Sequence, residues 1–381
     1  MSPLFSYAFR PLFLLNGIFA VLVMLAWVLN LHGAAGLSFT PLWHAHEMLV
    51  GFAMATVAGF TLTAVAQWTG RPAVSGAPLA WLVFFWLVGR LVMALSGWLP
   101  AGLVLAVDIL FPLLLCILLS REIIAARNRR NYPLVVITVV LALLNGLYHL
   151  DTPTLPHGDR LAIFLLIHTI LLLVTIIGGR IVPAFTANWL RQQGVQRLPV
   201  VSILVDRATL MLTAMTGVTA CFLPQHPATG ILAFAAALAH GLRLSRWRAF
   251  ATLANPLLTV LHVAYAWLPV GYFLLGCSVF GWLVAPTAAL HALTMGAIGS
   301  MVLAVTTRVA LGHTGRPLQA ARATVAAYWI LLLAVLMRVL GPLTGAGYLL
   351  MIDLAAAGWM LAFAIFVWVY WPILTRPRVD R

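Results

Sequence analysis

The sequence has few charged residues and no lysine. Only 8% of its 381 residues are charged, eight of them acidic, and all 22 basic residues are arginine. Hydrophobic residues make up 63% of the chain, and its mean hydropathy is +1.05. A water-soluble domain needs more polar surface than this composition offers. The shortage of charge therefore excludes a soluble protein and indicates one that lies in a membrane.

Cysteine is also scarce. Cys116, Cys221 and Cys277 lie far apart in apolar runs, and no two of them have CxxC spacing. Disulfide frameworks and thiolate metal sites need grouped cysteines. The spacing argues against both, and we interpret the three thiols as small core residues.

Long apolar runs recur along the whole chain, each near the 20 residues that a helix needs to cross a bilayer. They predict an all-α polytopic membrane protein of about twelve transmembrane helices, with residues 1–381 as a single transmembrane domain. The ninth run contains Pro269 and Gly271, so we expect it to be kinked or partly outside the bilayer core. The runs span residues 9–31, 44–66, 77–96, 100–121, 133–151, 160–184, 204–223, 227–243, 255–284, 286–311, 320–341 and 345–371.

The net charge of +14 has a topological explanation. Arginines follow the even-numbered helices and are nearly absent after the odd-numbered ones, so the positive-inside rule predicts that both termini are cytoplasmic. The basic charge then faces anionic lipid, which excludes a nucleic-acid surface. The arginines on this side include Arg71, Arg121, Arg127, Arg129, Arg130, Arg191, Arg197, Arg243, Arg246, Arg248, Arg316, Arg322, Arg376, Arg378 and Arg381.

Histidine is the polar residue that stands out in the apolar runs. An imidazole in a bilayer is rare, and it usually pairs with a polar group, relays protons or binds a metal or haem. For any one histidine a structural hydrogen bond is an equal alternative, but the whole set predicts a redox or metal-binding core. Eight of the eleven histidines lie in or against the runs: His44, His46, His149, His168, His240, His262, His291 and His313.

The predicted orientation divides these histidines by depth, at about 1.5 Å of rise per residue. The periplasmic half holds His44, His46, His149, His168 and His291, together with Glu47. The cytoplasmic half holds His240, His262 and His313. Such a two-level arrangement suits electrons or protons that cross part of the membrane.

Local spacing gives some of these residues different roles. In a regular helix His44 and Glu47 share a face, while His46 lies about 200° around from His44. Glu47 is interpreted as a ligand or proton donor, with stabilisation of the helix N-terminus as the alternative. Asn145 precedes His149 by four residues, so its amide is expected to orient that imidazole.

Gly296 and Gly299 follow His291 on the tenth helix. Small residues at this spacing let a neighbouring helix or a flat macrocycle approach the backbone closely. The sequence leaves both alternatives open.

Buried ions need partners. Arg90 and Arg338 lie near the outer ends of their helices, where Asp108 and Asp353 also lie. Arginine–aspartate pairing is one interpretation, and neutralisation of haem propionates is the other. Arg180 and Arg308, at the inner ends of the sixth and tenth helices, are candidates for the same propionate role.

Six segments carry a recognisable pattern: FRPLFLL at 9–15, WHAHEMLVGF at 43–52, GFTLTAVAQWTGRP at 59–72, GGRIVPAFTANWL at 178–190, NPLLTVLHVAYAWLPVG at 255–271 and HALTMGAIGSMVLAVTTRVALGHTGRP at 291–317. They resemble the NnrS family of bacterial twelve-helix inner-membrane proteins. Ala66 and Thr306 depart from the family pattern, and neither is a candidate ligand.

The resemblance implies bound haem b and copper and a role in resisting nitric oxide or nitrosative stress in denitrifying bacteria. We expect the periplasmic group to hold the reactive centre and the cytoplasmic trio to hold an electron-entry haem or a second metal. The expected reaction is reduction of nitric oxide to nitrous oxide, with electrons from a quinol or another donor and protons through Glu47. The alternatives are a non-catalytic sensor or buffer of nitric oxide and a proton-coupled transporter. The candidate haem-binding residues are His168, His240, His262, His291, Arg90, Arg180, Arg308 and Arg338.

Overall fold

The computed structural model describes residues 3–33, 39–150 and 160–379. Its regular secondary structure there is helical, with no strand, and the twelve predicted membrane spans are confirmed. The helices are α1 (Phe9–Leu31), α2 (Pro41–Thr69), α3 (Ala77–Ala94), α4 (Ala101–Ala125), α5 (Arg129–Tyr148), α6 (Leu161–Gln192), α7 (Ile203–Phe222), α8 (Pro227–Ser245), α9 (Pro256–Val279), α10 (Pro286–His313), α11 (Arg322–Gly345) and α12 (Tyr348–Thr375).

Some helices continue beyond the ends of the predicted apolar runs, through polar residues or through a proline. α6 runs to Gln192, past the predicted end at 184, and it carries Pro183 inside it. α9 contains Pro269 and is one helix from Pro256 to Val279. Residue 151, where the fifth predicted run ends, and Arg381 lie outside the described residues.

Two helices contain a π-helical segment. In α2 it covers Glu47–Ala53, and in α10 it covers Ala292–Gly299. Each begins at the residue after a histidine, His46 or His291. The π-helix is rare and is frequently found at functional sites. It also breaks the regular 3.6-residue period on which the predicted faces of His44, His46 and Glu47 depended.

The chain divides into two compact units, and the single-domain expectation stays a prediction. The first unit comprises residues 1–166, 306–317 and 363–381. Glycines bring its helices close together: a Cβ on Gly17 would lie 2.7 Å from the ring of Phe366, and one on Gly59 would lie 2.7 Å from that of Phe13. A larger residue at either position would push helices of this unit apart.

The second unit comprises residues 167–305 and 318–362. Gly296 and Gly299 of α10 lie in it and contact neighbouring helices. A Cβ on Gly296 would be 2.8 Å from the indole of Trp267, and one on Gly299 would be 2.6 Å from that of Trp359. The two glycines therefore accommodate tryptophans of α9 and α12, which fill the space that the alternative expectation gave to a macrocycle.

The three cysteines are free and buried, as the sequence predicted. Cys116 donates a hydrogen bond to the carbonyl of Thr138 at 3.0 Å. They serve as small packing residues.

The start of α1 contacts the end of α12 within the first unit. The buried guanidinium of Arg10, at the start of α1, donates to the carbonyls of Leu374 at 2.9 Å and Arg376 at 2.7 Å. The start of α1 and the end of α12 therefore lie on the same side of the membrane, as an even number of spans requires. Which side this is stays a prediction of the arginine distribution.

That prediction can be checked with reporter fusions in a bacterial inner membrane. Green fluorescent protein fused after the C-terminus, or in the α2–α3 loop after Arg71, should fluoresce, because it folds in the cytoplasm. Alkaline phosphatase should be active only in loops after odd-numbered helices, such as the α1–α2 loop. Active phosphatase at the C-terminus would reverse the assigned orientation.

Candidate functional site

A buried polar cluster lies where α2 begins. Its members come from α2, α3, α4, α5 and the residue that follows α5, and most are almost fully inaccessible. Polar groups in such surroundings must satisfy one another. We call it the α2 cluster; it consists of His46, Glu47, Arg90, Asp108, Asn145 and His149.

Arg90 connects the two carboxylates of the cluster. One terminal nitrogen, Nη1, binds Glu47 Oε1, and the other, Nη2, binds Asp108 Oδ1. Arg90 is 6% exposed, Glu47 1% and Asp108 0%. The arginine–aspartate pairing expected from the sequence is confirmed for Arg90. Glu47 and Asp108 bind the two terminal nitrogens of the guanidinium. Because these carboxylates already balance the charge of Arg90, a contact with a haem propionate is not needed for that purpose.

His46 lies between oxygen atoms on both sides of its ring. Nδ1 is 2.9 Å from Glu47 Oε1, and Nε2 is 2.8 Å from Asn145 Oδ1 and 3.2 Å from Asp108 Oδ2. Because both nitrogens face acceptors, the arrangement is that of an imidazolium that donates from each nitrogen. One proton on His46 then makes the cluster neutral, since Glu47 and Asp108 carry two negative charges and Arg90 one positive charge.

Asp108 Oδ2 is the point where the donors from α5 converge. It accepts from Asn145 Nδ2 at 2.8 Å and from His149 Nε2 at 2.9 Å. The expectation that Asn145 orients His149 directly is wrong. Both side chains donate to Asp108 instead, and they satisfy a buried carboxylate oxygen that would be costly to leave unpaired.

Three side chains of the cluster can hold a metal ion. One ligand atom each from His46, Asp108 and His149 lies within 4.8 Å of the other two, and this is the one group of three or more such side chains among the described residues. A tetrahedral ion with bonds of about 2.0 Å separates its ligands by about 3.3 Å. The separations of 3.2 Å from His46 and 2.9 Å from His149 to Asp108 Oδ2 are close to this value. Asp108, which the sequence indicated only as an ion-pair partner, is therefore central to the site.

His44 lies outside this group. Its ring stacks on that of Trp27, with centroids 4.7 Å apart and planes at 19°. The different directions expected for His44 and His46 are confirmed, although the π-helical segment begins immediately after them.

His168 and His291 belong to the second unit. His291 Nδ1 donates to the carbonyl of Thr287 at 2.7 Å, one turn earlier in α10. His168 packs against Gly217, and its buried Nδ1 has no hydrogen-bond partner among the described residues. Their roles as metal or haem ligands stay predictions.

His240 takes part in a chain of hydrogen bonds in the second unit. The hydroxyl of Thr213 donates to the carbonyl of Thr209, so His240 Nε2 donates to that hydroxyl at 3.0 Å. His240 Nδ1 then accepts from the hydroxyl of Tyr265 at 2.9 Å. Both ring nitrogens are therefore in use, and a metal at His240 would displace one of these bonds.

Arg243 continues the same chain. It donates to the Tyr265 oxygen at 3.1 Å, to the Thr175 carbonyl at 2.8 Å and to Asp206 at 2.6 Å. Tyr265 was not among the site residues predicted from the sequence. The one feature that could have identified it is its position on α9, three residues after His262.

The remaining histidines of the expected cytoplasmic trio have separate surroundings. His262 Nε2 is 2.9 Å from the hydroxyl of Thr186, and its buried Nδ1 has no hydrogen-bond partner among the described residues. His313 belongs to the first unit and packs on Phe9, with ring centroids 5.7 Å apart. Ligation of a haem or metal by this trio stays a prediction.

The other three candidate arginines are all partly buried. Arg338 lies over the ring of Tyr348, 5.9 Å from its centroid, and its Nη1 has no hydrogen-bond partner among the described residues. Propionate binding by Arg180, Arg308 and Arg338 stays a prediction.

Removal of Arg90 tests how far the α2 cluster depends on its cation. Arg90→Met should lower the free energy of unfolding by about 3–5 kcal/mol, because it leaves two buried carboxylates with the His46 imidazolium as their one remaining cation. The matched control is Arg71→Met, since Arg71 pairs with Glu122 but is 41% exposed, and its loss should cost about 0–1 kcal/mol. Thermal and denaturant unfolding of detergent-solubilised protein measures both. Equal effects of the two substitutions would contradict the role given to Arg90.

No curated protein matches the sequence. The profile of the family described as NnrS protein matches residues 3–378, which is nearly the whole chain. The twelve candidate spans and the apolar composition agree with the twelve-helix membrane protein that the resemblance implied. The chain belongs to the NnrS family.

Proposed function

We propose that this protein binds copper at His46, Asp108 and His149 and uses the site to reduce nitric oxide. Membership of the NnrS family is consistent with a role in the nitric oxide response. The observation that carries the proposal is the α2 cluster itself, a buried group of two imidazoles and a carboxylate with a neighbouring acid.

The charge of the cluster favours a singly charged cation. With neutral imidazoles, Glu47, Asp108 and Arg90 leave one negative charge in a region that excludes water. A proton on His46 balances it, and copper(I) balances it equally well. A divalent ion would leave one positive charge without compensation, which is expensive at this depth. The site is thus built to exchange one proton for one copper(I) ion.

Glu47 has the geometry of a group that orients the ligand and moves protons. It accepts Nδ1–H of His46 at 2.9 Å, which leaves Nε2 as the nitrogen that faces Asp108. A carboxylate behind a histidine in this way fixes the ring and raises its basicity as a ligand. Because Glu47 shares its oxygen Oε1 with Arg90, a proton that arrives there lowers the negative charge next to the metal position.

The proposed reaction takes two molecules of nitric oxide, two electrons and two protons to nitrous oxide and water. Copper supplies one-electron redox chemistry when bound. The chain excludes water through the closed packing of the cluster and delivers protons through Glu47 and His46. The electrons come from a quinol or a comparable membrane donor, and haem b held by the membrane histidines is the proposed route for them.

A non-catalytic buffer of nitric oxide or copper is the second candidate. His46 and Asp108 are 0% exposed, and every ring nitrogen of His46 is bonded. A closed site of this kind retains a ligand well but opens to substrate only if the cluster rearranges.

Copper(I) binding tests the site directly. Titration of the purified apo-protein should give one high-affinity site and release about one proton per copper(I), since the metal replaces the proton on His46. His149→Gln and Asp108→Asn should weaken binding at least about tenfold. The control is His226→Gln, at an exposed histidine that caps α8. Wild-type affinity in both variants would refute the assignment.

A turnover assay distinguishes a nitric oxide reductase from a protein that only buffers nitric oxide or copper. Copper-loaded protein with a reduced quinol should convert nitric oxide to nitrous oxide under anaerobic conditions, as measured by gas chromatography. Glu47→Gln should slow the reaction about 100-fold, within the range that loss of a proton donor usually costs, and Glu122→Gln is the control acid near the opposite membrane surface. Stoichiometric nitric oxide binding without nitrous oxide would support the buffer instead.

A further inference from the structure

The turn that follows α10 repeats the turn that ends α2. Each carries the sequence Thr-Gly-Arg-Pro, which begins at Thr69 in one and at Thr314 in the other. Both threonines donate to the carbonyl four residues earlier at 2.6 Å, and the glycines after them have a left-handed backbone with φ of 68° and 71°. The two turns therefore hold an arginine, Arg71 or Arg316, in the same local geometry.

The two arginines differ in their partners. Arg71 Nε donates to Glu122 Oε2 at 2.6 Å, so a carboxylate balances its charge. Arg316 forms no ion pair among the described residues, and its Nη1 lies 3.5 Å from the neutral carbonyl of Thr314. The same turn is thus electrically balanced after α2 and positively charged after α10.

Arg10, at the start of α1, carries a second charge without a counter-ion. It is 2% exposed, and its Nη1 donates to the carbonyls of Leu374 and Arg376. Its buried Nε has no hydrogen-bond partner, and no carboxylate pairs with it, among the described residues. Carbonyl oxygens satisfy donors but carry no net charge. A guanidinium buried in this way still needs an anion.

The chain after α12 adds a third arginine, Arg376, to the same place in the first unit. The amide of Val379 donates to the carbonyl of Thr314 at 3.2 Å, which holds this segment against the turn after α10. Arg316 is close enough to Arg10 for their charges to repel. Partial burial and then the charge of Arg376 lower the pKa of Arg316. Three cations from distant parts of the sequence therefore converge, although like charges oppose such an arrangement.

Phosphate is the anion that best fits this group. A guanidinium presents parallel N–H donors that match two oxygens of a phosphate, and several of them can bind one phosphate together. The three arginines lie at or beyond the ends of α1, α10 and α12, where the headgroups of a bilayer lie. Trp368 and Trp371, near the end of α12, are 73% and 51% exposed. Exposed tryptophans are typical of the lipid interface, so acyl chains have an apolar surface next to the arginines.

We propose that Arg10, Arg316 and Arg376 form a binding site for a phosphate group, which an anionic phospholipid supplies. Arg10 Nε and the guanidinium groups of Arg316 and Arg376 donate to the phosphate oxygens. The phosphate is then the counter-ion for Arg10, and it stabilises the first unit where α1, α10 and α12 meet. The site shares no residue with the proposed copper site, so either proposal can fail without the other.

The test is native mass spectrometry of the full-length protein in detergent. Phosphatidylglycerol is the anionic probe, and phosphatidylcholine is the neutral lipid for comparison. Wild-type protein should retain phosphatidylglycerol more tightly. Arg316→Gln and Arg376→Gln should each weaken its binding about tenfold, because each removes a charge-assisted hydrogen bond. Neither change removes the carbonyls that hold Arg10. Arg322→Gln, at the exposed start of α11, is the control and should bind like wild type.

Inorganic phosphate distinguishes the two sources of the anion. If a lipid supplies it, phosphatidylglycerol should raise the thermal midpoint of wild-type protein, and inorganic phosphate should not. A rise with inorganic phosphate that Arg316→Gln abolishes would support the same site with a soluble phosphate as its ligand.

Three results would overturn the proposal. The first is equal binding of the two lipids to wild-type protein together with no effect of inorganic phosphate. The second is an equal loss of binding in Arg316→Gln and in the Arg322→Gln control. The third concerns Asp380, an acid four residues after Arg376 that lies outside the described residues. If only Asp380→Asn prefers phosphatidylglycerol, Asp380 is the counter-ion in the wild-type protein.

Discussion

The ion pairs of Arg90 with Glu47 and Asp108 are the interaction on which the first unit depends. Two carboxylates buried at this depth would repel each other and lose their hydration, and one guanidinium offsets both effects. It also ties α2, α3 and α4 together at one point. Because Arg90 occupies one oxygen of each carboxylate, Asp108 keeps an oxygen for donors from α5, and Glu47 shares its bonded oxygen with His46. The geometry of the candidate metal group follows from this arrangement.

Each of the two π-helical segments directly follows a histidine and changes the directions of the side chains around it. A π segment adds a residue to a turn, so side chains on its two sides point in directions that a regular helix does not allow. In α2 the segment starts with Glu47 and contributes an acid beside the histidine. In α10 it starts with Ala292, and His291 instead bonds to the carbonyl of Thr287. The difference between glutamate in α2 and alanine in α10 alters the charge around the imidazole.

Several features of this protein can be predicted from the properties of short stretches of the sequence. The twelve spans are readable because a bilayer sets the length of each apolar run, and the paired position of the termini follows from their even number. The histidines could be singled out because ionisable residues in a membrane are rare. Asn145 is an example of what spacing along one helix cannot predict. The spacing paired it with His149, but its side chain contacts His46 on α2 and Asp108 on α4.

The class of protein, the number of spans and the candidate ligands can be derived from the sequence alone, because hydropathy and residue chemistry act locally along the chain. Which of those ligands meet depends on how the helices pack. In the folded chain His46 and His149 lie next to Asp108, His240 bonds to Tyr265 and Thr213, and His44 stacks on Trp27. The physical reason is that buried polar groups must bond to one another. The packing of the helices, including the two π-helical segments, sets which of these groups are close enough to do so.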